Sequence, residues 1–384
     1  MANYSSTPRP AYVWDGVNNQ WVPIGVGAHT HTTSDVSNLV PTATAAATAA
    51  IANFYSVGPT SSRPATPAIG YLYYDTTVQQ LFNYSTIGWV VAGTIGQYAA
   101  VTGGTLYSDA TYYYRVFTST ASLSVANLPL TADILVVAGG GGGGDWTAFT
   151  GRTGGGGAGG VAIAQSYSIP VATYTLTIGS GGPQRNASTS GLGINSTFGS
   201  LITAVGGGAG GYNDAIDGSS GGSGGGNWYT TSPSGGASTQ TSGTGYVGYG
   251  NAGGTSNTAS RYGGGGGGGA GAAGGGGTTA AGGAGGNGIS GATVGLLDAI
   301  GAATSKGQLS GGHYYFAGGG SSDVWQGTGG STSPGTAGLG GGGTGNNFAG
   351  GTAGSTNMGG GGGSGAAGGS GIIVVRYTRA QVGG

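Results

Sequence analysis

Two histidines separated by one residue are the clearest chemical signal in the sequence. His29 and His31 flank Thr30, and residues two apart on a strand project from the same face. Three chains around an axis would then supply six nitrogens, enough for an octahedral transition-metal ion. Two polar surface histidines in a loop are the alternative. The pattern therefore predicts a metal site at His29 and His31 only if the chain forms a homotrimer.

Residues for acid–base catalysis are scarce. All ten acidic residues are Asp, and there are three His. Glycoside hydrolysis needs two carboxylates at a defined separation, but Asp214 and Asp217 lie in a glycine-rich stretch and suit a turn equally well. Phosphate-binding loops need Gly-Lys-Ser/Thr, whereas Lys306 is followed by glycine. The sequence thus indicates that the protein is not an enzyme and needs no cofactor beyond the possible metal ion.

Aromatic residues interrupt the glycine-rich part of the chain, next to Asn, Asp and Ser. Aromatic faces stack on sugar rings or fill pockets of a partner, and the polar neighbours supply hydrogen bonds. The same side chains can instead cover the faces of the glycine-rich segments. The candidate binding residues are Trp146, Phe149, Tyr212, Trp228, Tyr229, Tyr246, Tyr249, His313, Tyr314, Tyr315, Trp325 and Phe348.

Composition excludes several classes of protein. Only 5% of the residues are charged and the net charge is −1, so no basic surface for nucleic acid is expected. No apolar run approaches the roughly 20 residues that span a bilayer, and we expect no membrane insertion. The N-terminus lacks the pattern of a secretory signal. With no Cys, disulfides cannot stabilise the fold.

Residues 1–55 form the first of three regions that composition separates. Segments 11–14 and 20–22 have strand character and flank a turn-like Asp-Gly-Val-Asn-Asn sequence, so we predict a hairpin. Segment 42–52 is rich in Ala, the best helix former, but is too short to be stable alone. It is therefore expected to pack against copies of itself.

Residues 56–127 are predicted to form a small β-rich module, with strands over 70–75, 80–84 and 88–91 arranged as a three-strand meander. The third region, 128–384, begins and ends with apolar strands at 133–138 and 372–377. We predict that these two strands pair. Between them, short strands are expected over 160–164, 174–178 and 201–205, and almost none beyond residue 206.

The glycine runs of residues 128–384 are predicted to be ordered. Collagen needs a strict Gly-X-Y period and abundant proline, yet the chain has 98 Gly and only 12 Pro. A flexible linker is the alternative. Several runs instead place a side chain at every third residue, as at Ala281, Ala284 and Asn287. This spacing matches the three residues per turn of an extended helix and would let bare backbone edges pack and hydrogen bond.

The predicted fold class is therefore mainly β and irregular. It combines a short N-terminal β/α segment, a small β-meander module, and a C-terminal domain of packed polyglycine II helices framed by β-strands.

The order of motifs in the third region resembles the glycine-rich domain of phage tail fibres. Each motif joins a short apolar strand to a glycine run or closes one, and the match covers about two-thirds of the chain. The motifs are Leu-Val-Val-Ala-Gly₆ at 135–144, Gly₄-Ala-Gly-Gly-Val at 154–161, Tyr-Thr-Leu-Thr-Ile-Gly at 174–179, Ser-Thr-Phe-Gly at 196–199, Thr-Ala-Val-Gly₃-Ala-Gly₂ at 203–211, and Gly-Gly-Ser-Gly-Ile-Ile-Val-Val-Arg-Tyr at 368–377.

Two upstream segments, 63–90 and 9–22, are similar to pieces of phage structural proteins. The resemblance implies a virion tail protein with residues 1–55 as attachment and oligomerisation segment and 128–384 as receptor-binding domain. Its expected partners are other phage tail proteins, a host cell-surface glycan or protein, and copies of itself in a homotrimer. The alternatives are a purely structural tail-tip or capsid decoration fibre, an ice-binding protein, and a depolymerase acting through Asp214 or Asp217.

Overall fold

The chain divides into two compact units, Met1–Gly96 and Gln97–Gly384, which we call the first and second unit. The computed structural model describes residues 11–15, 20–24, 55–94, 98–145, 153–212, 217–228, 234–257, 263–324, 333–346 and 350–384. Residues 98–127 were predicted to belong to the β-rich module of residues 56–127, but they lie in the second unit. His29, His31 and the Ala-rich segment 42–52 lie outside the described residues.

The first unit contains two sheets among its described residues. Strands β1 (Ala11–Asp15) and β2 (Gln20–Ile24) pair antiparallel, which confirms the predicted strand pair. A second sheet has the order β3-β4-β5-β6. Its strands are β3 (Tyr55–Gly58), β4 (Leu72–Asp75), β5 (Gln80–Ser85) and β6 (Gly88–Thr94). The predicted meander is thus confirmed as β4–β6, and β3 adds a parallel strand beside β4.

An ion pair between Arg63 and Asp75 stabilises the four-stranded sheet. The Asp75 side chain is fully buried, and the Arg63 guanidinium lies 3.8 Å from the centroid of the Phe82 ring. Burial raises the pKa of Asp75, but hydrogen bonds from Arg63, from the Thr60 hydroxyl and from two backbone amides lower this pKa to about 2. Because the carboxylate accepts several hydrogen bonds, it stays charged inside the unit.

Replacing Asp75 with Asn should destabilise the first unit at neutral pH, because Arg63 is then buried without its counter-charge. The folded-state pKa of Asp75 lies below its ordinary value of 3.8. Its stabilising effect is therefore complete above that value and is lost as the pH falls towards 2. We expect the difference in melting temperature between wild type and D75N to shrink over that range, as measured by calorimetry. Thr60→Val, which removes a single hydrogen bond, should have a smaller effect. A constant difference between pH 7 and pH 2 would contradict this role of Asp75.

The strands of the second unit are short, and most lie in two large sheets. In chain order they are β7 (Ala100–Thr102), β8 (Thr105–Ser108), β9 (Tyr112–Phe117), β10 (Ala121–Ala126), β11 (Leu130–Val137), β12 (Val161–Ile169), β13 (Ala172–Thr177), β14 (Ser196–Phe198), β15 (Ile202–Ala204), β16 (Val247–Tyr249), β17 (Ile289–Ser290), β18 (Gln308–Ser310), β19 (His313–Phe316) and β20 (Ile372–Thr378). The sheet orders are β16-β12-β11-β20-β9-β8, β15-β14-β13-β10-β7 and β17-β19-β18.

The predicted pairing of the two terminal apolar strands is confirmed. Strand β20 lies antiparallel to β11 in the middle of the six-stranded sheet. One face of that sheet packs against the five-stranded sheet, through residues such as Ile134 and Leu123. The other face packs against residues such as Leu297 and Phe316. Because both faces are buried, these strands are continuously apolar rather than alternating.

A helix and a hairpin lie in the part of the chain beyond residue 206, where almost no strand was predicted. Helix α1 (Leu296–Thr304) buries Leu296, Leu297 and Ile300. The hairpin of β18 and β19 packs beside it, and the Tyr314 ring covers the position where a side chain on Gly301 would lie. The expectation of almost no strand beyond residue 206 was therefore wrong for residues 289–316. The spacing of Leu296, Leu297 and Ile300 marks one face of a helix.

The described glycine runs form a hydrogen-bonded lattice with a period of three residues. Along run 139–144, amides three residues apart donate to the same neighbouring run. Those of Gly139 and Gly142 donate to run 191–194, those of Gly140 and Gly143 to run 366–369, and those of Gly141 and Gly144 to run 154–157. Such a period is the one that an extended helix of three residues per turn requires. The polyglycine II geometry of each run stays a prediction.

Candidate functional site

The lattice has two ends, which differ in what the runs connect to. At the sheet end, runs continue into strands, as at Val137, Val161 and Ile372. At the opposite end, which we call the loop end, the chain leaves and re-enters the described lattice. The segments that connect these exits and entries lie outside the described residues and are 146–152, 213–216, 229–233, 258–262, 325–332 and 347–349.

Hydrogen bonds between the flanking residues show that these exits lie at the same end. The pairs join one run to the next across the lattice. From donor amide to acceptor carbonyl they are Gly144 to Gly154, Gly154 to Gly211, Gly211 to Gly226, Asn227 to Gly254, Asn257 to Gly263, Gly264 to Asp323, Gly351 to Ser364, and Gly365 to Gly144. The six connecting segments therefore all begin and end at one face of the second unit.

A layer of buried polar side chains lies just beneath the loop end. Thr153, Asp323, Ser364 and Ser322 are each at most 2% exposed. The Thr153 amide donates to Asp323 Oδ1 at 2.9 Å, and the Thr153 and Ser364 hydroxyls are hydrogen-bonded to each other. Ser322 Oγ accepts from the amide of Gly283 at 2.7 Å. Because buried polar groups are costly unless they are hydrogen-bonded, this layer fixes the geometry from which the connecting segments emerge.

Arg185 and Tyr212 form a half-buried cluster at the loop end. The Arg185 guanidinium lies 5.5 Å from the centroid of the Tyr212 ring, within the range of a cation–π interaction. It also donates to the carbonyls of Gly210 at 3.1 Å and Asp217 at 2.8 Å. Burial lowers the pKa of Arg185, opposed by Tyr212 and Asp217. These contacts hold the Tyr212 ring at the rim in one orientation.

The polar groups beside this cluster are those that sequence reasoning missed. Gln184 Nε2 donates to Asp145 Oδ1 at 2.8 Å, and Arg185 is hydrogen-bonded through its backbone to Gly143. Pro-Gln-Arg-Asn at 183–186 interrupts a glycine run with one of the chain's few charged residues. The rare charge of Arg185 was the signal in the sequence that could have identified this cluster, since aromatic residues alone do not mark it.

Among the predicted aromatic residues, two described ones lie at the loop end. Tyr212 is half-buried at the rim. Trp228 is 2% exposed and one of the largest fully buried side chains, so it fills the interior instead of offering a surface for binding. Five others fall in the connecting segments, outside the described residues: Trp146, Phe149, Tyr229, Trp325 and Phe348.

The remaining predicted residues lie away from the loop end. Tyr249 is in β16, Tyr246 pairs with Gly243 in the turn that leads into that strand, and His313, Tyr314 and Tyr315 are in β19. All of them border the sheets, because the chain turns through short strands wherever it reaches that end of the lattice. The structure therefore separates the predicted set into two groups at opposite ends.

His313 is hydrogen-bonded to Asp298 of helix α1. Its Nδ1 lies 2.7 Å from Asp298 Oδ2, and the Tyr314 amide donates to Asp298 Oδ1 at 2.8 Å. Burial raises the pKa of Asp298, but the hydrogen bonds from the Tyr314 amide and His313 lower it overall. The pair joins the start of the helix to the hairpin and gives His313 a structural partner.

In the part of the chain that the structure describes, no three His or Asp side chains gather into a group that could hold a metal ion. The predicted metal site at His29 and His31 lies outside those residues. None of the helices in the described ranges has the length and apolar character that crossing a membrane requires.

These features define a β-rich protein whose sheets carry a glycine lattice, with six connecting segments at the face opposite the sheets. A family model described as a glycine-rich domain matches residues 116–378, more than half of the chain. The protein therefore belongs to this glycine-rich domain family. A search of curated proteins found no match.

Proposed function

We propose that this chain is a tail-fibre or minor tail protein of a bacterial virus and that its loop end binds a glycan or protein on the host cell surface. The observation that carries the proposal is the convergence of six connecting segments at one face of a hydrogen-bonded lattice. Those segments contain Trp146, Tyr229 and Trp325, residue types that dominate binding surfaces. The motif order described above supports the assignment to a virus tail.

A glycine lattice is a suitable support for such a surface. Its backbone hydrogen bonds hold the ends of each connecting segment in place, so binding loses less conformational freedom than it would on a flexible chain. Because the contacts of the lattice are made by backbone, the connecting segments can differ in sequence without disturbing it. Many weak sites on a fibre present in several copies would then combine into firm attachment.

The other parts of the chain have roles in the same proposal. Residues 1–55 attach to other tail proteins and form a homotrimer, in which His29 and His31 can bind a metal ion. The protein acts by binding, without catalysis, nucleic acid or membrane insertion, and belongs to the virion tail.

Replacing segments 146–152 and 325–332 with Gly-Ser sequences of equal length should reduce binding to host cells at least about tenfold, because the aromatic side chains are lost. Gly144, Gly154 and Asp323, which flank those segments, are hydrogen-bonded to other runs of the lattice, so the melting temperature should stay close to that of wild type. Binding of the fluorescently labelled protein to cells that adsorb the virus measures the first effect, and calorimetry the second.

A matched control is Leu309→Ser, which changes a side chain that is 60% exposed in strand β18, on the hairpin at the sheet end. It should leave cell binding unchanged. If wild type and the segment replacement bind equally, the loop end is not the receptor site, and a purely structural tail-tip or decoration protein becomes the better interpretation.

A further inference from the structure

Run 272–278 lies on the outside of the lattice and has one unpaired edge. The amides of Gly274 and Gly277 donate to run 250–257, and that of Gly275 donates to Ala284. The amides of Ala273 and Gly276, three residues apart, have no hydrogen-bond partner among the described residues. Both residues are exposed. The three-residue period therefore points every third amide of this run to solvent.

The carbonyls of Ala273 and Gly276 are likewise unpaired among the described residues. Unpaired donors and unpaired acceptors thus both recur along this run at the three-residue spacing of the lattice itself. The situation is the counterpart of an exposed edge strand, whose unpaired backbone groups bind another chain of the same kind.

Proteins usually protect such an edge with charged side chains or proline, and this face has neither. The described residues of runs 250–257, 272–278 and 281–287 include no charged residue and no proline. The side chains beside the edge are as small as those of Ala252, Thr255 and Ala284. The face is uncharged and its side chains are short, so a second backbone can approach it closely.

We propose that this face, which we call the outer-run face, pairs with the same face of a second copy of the chain and so extends the lattice across two molecules. A β-strand repeats every two residues and would not match amides three residues apart. A glycine run with the three-residue period does match, and the described part of this chain is built from such runs. Two copies related by a two-fold axis place donors of each edge opposite acceptors of the other.

The contact is small, since a seven-residue run is only about 22 Å long. The association is therefore weak and depends on protein concentration. It is independent of the loop end, because Ala273 and Gly276 lie along the side of the lattice. It also does not involve residues 1–55, since the outer-run face lies wholly within the second unit.

The test compares the mass of the full-length wild type with that of Ala273→Asp by sedimentation velocity from about 1 to about 200 µM, a range that covers weak affinities. Wild type should reach twice the mass of the variant at high concentration if the variant is a monomer of 36.3 kDa, and at least twice its mass if the variant is a larger assembly with several outer-run faces. The substituted residue is exposed, so the variant should melt like wild type. A carboxylate at residue 273 would have to lose its water at the paired edge, at a cost of free energy that separates the copies.

Ala353→Asp is the control, because Ala353 is an exposed alanine on a different outer run, 350–355. It should double its mass like wild type. Equal masses for wild type and Ala273→Asp at every concentration would overturn the proposal, as would equal loss of association in both variants. Hydrogen exchange gives a second measurement. The amides of Ala273 and Gly276 should gain protection as the wild-type concentration rises, whereas those of Gly274 and Gly275 are already hydrogen-bonded within the lattice; unchanged exchange at Ala273 and Gly276 would exclude pairing through this edge.

Discussion

Replacing Gly156 with alanine is expected to leave the second unit unable to fold. A Cβ atom on Gly156 would lie 2.1 Å from the carbonyl oxygen of Gly141, far closer than non-bonded atoms approach. The residue cannot move away, because its amide donates to Gly362 and its carbonyl accepts from Gly320. Any shift breaks bonds to two other runs, so the cost should exceed about 4–5 kcal/mol, a large part of the stability of a typical domain.

Gly295→Ala is the matched control. Gly295 precedes helix α1 with φ −54, and no atom lies within 4 Å of its added Cβ. Alanine there should change the free energy of unfolding by less than about 1 kcal/mol. Soluble yield and calorimetry distinguish the two variants. A Gly156→Ala protein that melts at the wild-type temperature would show that the central runs are not packed as described.

The periodicity of the glycine runs could be predicted from the sequence, because residues with side chains recur at every third position. Ala281, Ala284 and Asn287 are three apart, and between them the amides of Gly282 and Gly285 donate to one neighbouring run and those of Gly283 and Gly286 to another. Only an outward position tolerates a side chain. The residues that carry one therefore reveal the period without any knowledge of the neighbours.

The placement of the aromatic residues could not be predicted in the same way. Tyr212 and Tyr315 stand in similar glycine-rich surroundings in the sequence, yet they lie at opposite ends of the lattice. Which end a segment reaches depends on the direction of its run, and direction is set by contacts between residues far apart in the chain. Trp228 is buried although Asn and Tyr flank it, since neighbouring runs close over it.

Helix α1 and the hairpin after it were missed for a related reason. The apolar residues Leu296, Leu297 and Ile300 do mark a helical face, but only nine residues form the helix. So short a helix is unstable alone and depends on burial against the six-stranded sheet. Strands β11 and β20, by contrast, were predictable because burial on both faces makes their sequences continuously apolar.

Deletion of residues 372–384 is expected to abolish folding of the second unit as completely as Gly156→Ala. These residues contain strand β20, which pairs with β11 on one side and β9 on the other. Ile372, Ile373, Val374 and Val375 are each 0% exposed. Burying one such side chain contributes about 1.5–3 kcal/mol. Losing four of them therefore removes about as much free energy as the net free energy of unfolding of a typical domain.

The deletion also exposes the edges of two long apolar strands in the middle of a sheet, and such edges promote aggregation. We therefore expect the truncated chain to be insoluble or to bind hydrophobic dyes without a cooperative melting transition. Removal of Gly383 and Gly384 alone is the control. Among the described residues, the backbone bonds of Gly383 and Gly384 are those from their own amides to Ala380 and Arg379. Solubility and melting temperature should therefore change little when the two residues are removed. A soluble, cooperatively folded chain ending at residue 371 would require β9 to pair directly with β11. It would show that β20 is not needed for the glycine lattice to form.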